Sequence, residues 1–335
     1  MKNVSTLVTG GAGFVGLALV EHLLGQGEAV TVLDVIDVPV DAKQIFSKLP
    51  GQLRALRGSV LDRGALNAAV EASRPSAIVN AATVTPDGGR ESVDPISVNE
   101  VNFNGALNVL EVVRTHRIRL VHLSTSGVYG EIQNRPGFSS PLVDEDVLPG
   151  PRSLYAISKT AAEQTVMRYV ELFGIDAVVA RVGVAYGPWE YETGSRHVFS
   201  APLQLLRLAH VRTEAVISRQ SIKDWSYSRD IARGIALLKD AREGLKSRIF
   251  NVSGDTAWAI SDFAQYLTTA FPGFRFRIAA STSDPAVNAT LSKASDRQGL
   301  DMARLKRETS YVPAYDPASA FCDYVAWADQ TKCWR

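Results

Sequence analysis

Short runs of β-branched and aliphatic residues recur through the first half of the chain, each followed by a longer stretch with apolar positions three and four apart. The first kind of run reads as a buried parallel strand and the second as an amphipathic helix. Strands are predicted at residues 4–8, 29–33, 53–57, 77–81, 119–124, 177–182 and 248–252. The clearest predicted helices are 14–24, 66–72, 98–115, 155–173 and 230–238. This alternation predicts an α/β fold, a Rossmann-type doubly wound parallel sheet. Residues 137–152, with Pro141, Pro149, Gly150 and Pro151, read as a surface loop ahead of a long helix. After Tyr186-Gly187-Pro188 the strict alternation stops. Residues 1–182 and 223–256 are therefore assigned to the sheet domain, and 183–222 and 257–335 to a smaller, discontinuous C-terminal domain.

Between the first strand and the first helix stands Thr9-Gly-Gly-Ala-Gly-Phe-Val-Gly16. Gly10 and Gly11 suit backbone angles closed to other residues, Gly13 lets the main chain approach a pyrophosphate, and Gly16 lets the helix pack closely on the strand. N–H groups at Phe14 and Val15 would point at phosphates from the helix N-terminus. The second strand ends at Asp34, placed to bond the hydroxyls of an adenosine ribose and to repel a ribose phosphate. The predicted cofactor is NAD rather than NADP, and the smaller domain is left for substrate.

Composition narrows the remaining classes. With 46% apolar residues, 335 in all and a net charge of +1, the chain shows no basic stripe for nucleic acid and no apolar run of membrane-spanning length. The first strand begins at once, leaving no room for a signal peptide, and only Cys322 and Cys333 occur. A cytoplasmic protein without a disulfide framework is expected. His22, His116, His122 and His210 lack metal-ligand spacing, so no metal is expected.

Tyr155 and Lys159 are four residues apart and share one face of a predicted helix. A phenol titrating near ~10 needs nearby positive charge to act as a base at neutrality, and a cation one turn away supplies it. Taken with the glycine loop, Asp34, Val60-Leu-Asp62, Asn80-Ala-Ala82, Asn102-Phe-Asn-Gly105, Leu123-Ser-Thr-Ser-Gly-Val-Tyr-Gly130, Arg181 to Pro188 and Asp224-Trp-Ser-Tyr-Ser-Arg-Asp230, the chain resembles the extended short-chain dehydrogenase/reductases of the NAD-dependent epimerase/dehydratase family. The resemblance implies Tyr155 as acid/base, Lys159 as the ribose-binding cation and Thr125 as the hydroxyl on the same substrate oxygen, with Ser124 and Ser126 adjacent. It implies Asp62 at the adenine, and Ala81, Ala82, Asn102 and Ser124 lining the cofactor.

The departures bear on substrate. Where similar dehydratases carry an Asp-Glu pair after the catalytic threonine, this chain has Ser126 and Gly127, which argues against dehydration. Val184 replaces an asparagine, and Lys223 an arginine, that help nucleotide-sugar epimerases hold a diphosphate. The expected activity is hydride transfer at a secondary alcohol of a sugar or nucleotide sugar. A net dehydrogenase of a free sugar, sugar acid or polyol is the alternative, and a non-catalytic NAD-binding sensor the alternative of another class. Candidate substrate contacts are Thr83, Arg90, Ser126, Trp189 and His197. The resemblance also implies a homodimer through the helices 98–115 and 155–173, whose Val101, Leu107, Leu110, Ala161, Val166 and Val170 exceed one sheet-facing stripe.

Overall fold

A computed structural model describes residues 5–86, 88–136, 138–140, 142–192, 199–241, 243–281, 283–291, 296 and 299–332. Seven parallel strands form the central sheet: β1 Ser5–Thr9, β2 Ala29–Asp34, β3 Gln52–Arg57, β4 Ala77–Asn80, β5 Arg119–Thr125, β6 Ala177–Val182 and β7 Ile249–Val252. Their order is β7-β6-β5-β4-β1-β2-β3. The order reverses between β1 and β4, and in such sheets a crevice opens there beyond the strand C-termini. The registers Thr9↔Asn80 and Thr9↔Leu33 bring the ends of β1, β4 and β2 level at that crevice. Strands β4 and β6 are buried at every position, the polar Asn80 and Arg181 included, whereas the edge strand β3 is mostly exposed.

The Phe14–Gly25 helix is buried on most sides because it lies between the sheet and the Ser228–Asp240 helix. Polar residues set where other helices begin. Asp62 accepts from the N–H groups of Gly64 and Ala65 to start the Arg63–Ser73 helix, and Ser153 accepts from Ala156 N–H to start Leu154–Phe173, which ends at Gly174 with φ 62°. Each such N-cap contributes about 1 kcal/mol.

One expected helix is divided. The apolar spacing predicts one helix over 98–115, but the chain runs as an α-turn Pro95–Asn99, a π-helical turn Glu100–Asn104 and an α-helix Gly105–His116. A π-turn inserts one residue into the ladder and re-aims its side chains. The residue re-aimed is Asn102, whose carboxamide is buried against the loop after β4. The surface-loop reading of 137–152 is also too simple: Leu142–Val143 pairs in parallel with Gly299–Leu300, and Val143 and Leu300 join Val128, Tyr129 and Ile132 in a small core.

Outside the sheet, Val184–Tyr186 pairs with Trp225–Tyr227, Ala215–Ile217 with Phe276–Ile278, and Ile222–Lys223 with Trp258–Ala259. The Ala201–His210, Ile260–Ala270 and Pro317–Thr331 helices lie among these strands in sequence. One apolar core runs from the first helix (Leu17, Leu23) through Tyr186 and Trp258 to Phe321 and Tyr324, so packing does not stop at the boundary drawn from sequence. Among the described residues no helix is long and apolar enough to cross a membrane.

Candidate active site

A cavity of about 950 Å³ opens at the reversal point of the sheet. Its floor is the glycine loop. Gly10 has φ +69°, and a Cβ there would lie 2.5 Å from the Ala82 backbone; at Gly16 a Cβ would meet the Gly10 carbonyl oxygen at 2.2 Å. Gly11 differs from expectation, since its φ is not positive. What excludes a side chain there is Val32, whose methyl groups would be 2.8 and 2.9 Å away. The result is a side-chain-free cradle at the positive end of the Phe14–Gly25 helix, with Gly13, Phe14, Val15 and Gly16 on its surface.

Asp34 borders the cradle. Its carboxylate accepts from Ala12 N–H at 2.9 Å and Ile36 N–H at 3.3 Å; burial raises its pKa, and these backbone donors oppose the rise. Asp34→Ser is expected to shift the preference between NAD and NADP toward NADP by about tenfold, about 1.4 kcal/mol. Parallel titrations of the two dinucleotides check this, and tighter binding of NADP by the unmutated protein would contradict it.

On the far side of the sheet's reversal, Ala81, Ala82 and Thr83 line the cavity wall after β4. Asn102 does not reach the cavity. Its Oδ1 accepts from Thr83 Oγ1 at 2.9 Å and Val84 N–H at 2.8 Å, and its Nδ2 donates to Val84 carbonyl at 3.0 Å, so it fixes the loop that does. Asp62 also lies outside the lining. Its Oδ1 caps the helix, accepting from both Gly64 and Ala65, and Ser59 and Val60 line the cavity edge beside it.

Ser124, Thr125 and Ser126 reach the cavity at the end of β5. Thr125 Oγ1 accepts from Gly127 N–H at 3.1 Å, leaving its own proton to donate. The buried Ser124 hydroxyl has no partner among the described residues. A buried orphan hydroxyl at the mouth of a side-chain-free cradle is an unmet demand that a dinucleotide can satisfy, so the residues present fit that group.

Tyr155 and Lys159 face the same cavity from the Leu154–Phe173 helix. Two acceptors hold the start of this helix: the Ser153 cap, and the Glu91 carboxylate on the Leu154 N–H. Lys159 is 2% exposed, and desolvation lowers its pKa to about 8, opposed by the Glu163 carboxylate one turn on. Glu163 is itself held by Arg181, at 2.8 to 3.1 Å to three guanidinium–carboxylate contacts. Breaking a buried pair of that kind costs about 3–5 kcal/mol, so the helix is fixed firmly to β6.

The depressed Lys159 pKa has a measurable consequence. The folded state binds its proton less readily than the unfolded chain, so between pH 8 and 10.5 the unfolded state carries more protons and stability rises with pH. Below that window the ammonium is buried at a cost of about 3 kcal/mol. Lys159→Met is expected to raise the melting temperature of the cofactor-free protein at pH 7 while abolishing turnover. Calorimetry of the two proteins tests this, and a lower melting temperature for the variant would contradict it.

Three expected substrate contacts are placed elsewhere or not described. Trp189 is 4% exposed and packed on Phe46 and Trp327 at ring-centroid distances of 5.2 and 5.3 Å, so it is core, not cavity wall. His197 lies outside the described residues. Arg90 lies on the Gly88–Val93 helix, but its side chain is outside the described residues; the lining residue of that helix is its neighbour Glu91. The far end of the cavity is formed by Val184, Ser200, Gln204, Lys223 and Asp224. Asp224 Oδ2 accepts from Ser253 Oγ at 2.7 Å and Leu300 N–H at 2.8 Å, and burial raises its pKa. Lys223 Nζ lies 3.5 Å from Asp296 and 5.0 Å from the centre of the Trp225 ring. Glu91, Ser200 and Gln204 carry no sequence signal, because only the tertiary fold brings them to the crevice. Among the described residues no cluster of His, Cys, Asp and Glu suits a metal ion.

Comparison with known proteins places this geometry. Residues 6–253 match the family model described as the NAD dependent epimerase/dehydratase family. A protein of Sinorhizobium fredii named as a probable dTDP-glucose 4,6-dehydratase is 30% identical over 265 residues, covering 74% of this chain and 71% of its own length. Among solved structures, the dTDP-glucose 4,6-dehydratase of Bacillus anthracis in complex with NAD superposes with TM-score 0.75 at 19% identity, covering 99% of this chain and 98% of that one. The UDP-glucose 4-epimerase of Thermotoga maritima with UDP-glucose gives TM-score 0.76 at 21% identity, covering 98% and 100%. With its family model matched across the whole sheet and its crevice built as a dinucleotide cradle, the chain belongs to the NAD-dependent epimerase/dehydratase family, and NAD is its cofactor.

Proposed function

We propose that the protein oxidises a secondary hydroxyl of a nucleotide sugar and then reduces the ketone again on its opposite face, as an epimerase. The observation that carries this reading is that Thr125, Tyr155 and Lys159 line one cavity with the glycine cradle. Bound NAD supplies the chemistry of hydride acceptance and return. Tyr155 takes the hydroxyl proton and later gives it back, Thr125 donates to the same oxygen, and Lys159 holds the ribose. The cavity runs from the glycine cradle past Tyr155 to Lys223 and Asp224, so the substrate can lie beyond the cofactor. In this reading residues 183–222 and 257–335 serve as the substrate domain.

Dehydration needs a second acid and base, and positions 126 and 127 hold serine and glycine. The described carboxylates of the lining are already engaged: Asp34 by the glycine loop, Asp224 by Ser253 and Leu300, and Glu91 by Leu154. Net dehydrogenation of a free sugar, sugar acid or polyol remains the second reading, favoured by Val184 and Lys223 at the far end of the cavity. The test is incubation with NAD and, in turn, UDP-glucose, UDP-glucuronic acid, dTDP-glucose and free sugars, followed by proton NMR and NADH absorbance. An epimer without net NADH is expected. A keto-deoxy product, or net NADH from a free sugar, would overturn the proposal.

We also propose that the protein is a homodimer, through a surface that includes the helix carrying Tyr155. Leu110 and Val166 are buried in the fold, and Val101 and Val170 pack on the same core. The exposed apolar residues of this region are Val93, Ile96, Ile157, Leu172 and Phe173. Covering them in a two-fold contact would brace the helix that carries Tyr155. Light scattering at micromolar concentration is expected to give twice the 36.3 kDa chain mass, and Ile96→Lys to lower it. A monomer under those conditions would refute the dimer.

A further inference from the structure

Three successive residues after the Val184–Tyr186 strand bond to three separate parts of the molecule. Trp189 has φ 72°, a conformation that L residues adopt only when their surroundings hold them there. Its Nε1 donates to Glu21 Oε2 at 2.9 Å, in the helix that follows the glycine loop. Glu190 is fully buried and accepts from the N–H of Ser200 at 2.7 Å and from its hydroxyl. Tyr191 donates its hydroxyl to the carbonyl oxygen of Ala12, inside the glycine loop. Burial and the nearby Asp34 carboxylate raise the pKa of this phenol, so it stays a donor.

Ala12 is thus held on both sides, its N–H by Asp34 and its carbonyl by Tyr191. The Ala12–Gly13 peptide leads into the helix N-cap at Gly13, and Gly13 N–H donates back to the Gly10 carbonyl at 3.2 Å. If that peptide rotated, its carbonyl dipole would point into the cradle and repel the pyrophosphate, and the Gly13 N–H would lose the Gly10 carbonyl. Loop glycines allow such rotation readily. An external clamp is what prevents it.

We propose that Tyr191 is a positioning residue for the dinucleotide, holding the Ala12 carbonyl out of the cradle so that the Phe14 and Val15 N–H groups face the pyrophosphate unopposed. The Trp189 and Glu190 anchors hold the clamp itself still. Tyr191→Phe removes the donor and keeps the ring, and its effect falls on phosphate rather than on adenosine. The experiment measures ADP, adenosine and NADH binding to wild type and variant by calorimetry, with melting temperatures of both cofactor-free proteins. About tenfold weaker ADP and NADH binding is expected, about 1.4 kcal/mol, with adenosine affinity and melting temperature unchanged. ADP and NADH affinities within twofold of wild type would overturn the proposal, as would an equal loss for adenosine.

Discussion

Tyr155→Phe is expected to lower kcat by about a thousandfold, about 4 kcal/mol of barrier, and to leave NADH affinity within about twofold. The substitution removes one oxygen from a half-buried ring and keeps the apolar part of the side chain, so the helix start held by Ser153 and Glu91 should not move. Thr125 can still donate to the substrate oxygen, but it cannot take a proton from it at neutral pH, and Lys159 donates rather than accepts while it is charged, below pH 8. The described carboxylates of the lining are each engaged by backbone or hydroxyl donors, so none stands ready to replace the phenol as base. Turnover of the nucleotide sugar that wild type accepts is the measurement, with NADH fluorescence as the binding control. A variant keeping a tenth or more of wild-type turnover would remove Tyr155 from the proposed role.

The parts of the site built from local sequence were legible in advance, and the parts built by tertiary contact were not. The cradle is local: a strand, a turn and a helix in that order, with glycines where a Cβ has no room. Asp34 is nearly so, because β2 runs beside β1 in register and ends level with it. Tyr155 and Lys159 needed only helical spacing. Asn102 and Asp62 carried the right motif but act on the backbone, one bracing a loop through a π-turn and the other capping a helix. Motif position alone could not distinguish a residue that touches a ligand from one that holds the element beside it. Trp189 failed for another reason. A large aromatic after a strand end fits a cavity mouth and a core equally well, and here the rings of Phe46 and Trp327 decide it. Glu91 and Tyr191 come from segments far from the residues they hold, 63 and 179 positions away, so no window of sequence could connect them.

Gly16→Ala should be the most damaging single methyl that can be added to the chain's cofactor site. The new Cβ would stand 2.2 Å from the Gly10 carbonyl oxygen, 2.8 Å from Gly11 Cα and 3.0 Å from the Gly11 carbonyl carbon. All three are backbone atoms, so no side-chain rotation can relieve the contact, and either the helix moves off β1 or the loop unwinds. The Phe14–Gly25 helix is wedged between the sheet and the Ser228–Asp240 helix, so it has little room to move. The loop should yield instead, and with it the cradle. Overpacking of this kind costs about 1–3 kcal/mol of stability. NAD affinity should fall by more, about a hundredfold or beyond, because the pyrophosphate depends on the backbone path that is displaced. Gly25→Ala at the other end of the same helix is the control: nothing lies within 4 Å of its Cβ, and its φ is not in the left-handed region. That variant should bind NADH as wild type does and gain about 0.4–1 kcal/mol of stability. Equal NADH affinities for Gly16→Ala and Gly25→Ala would show that the close approach at Gly16 is not what shapes the cofactor site.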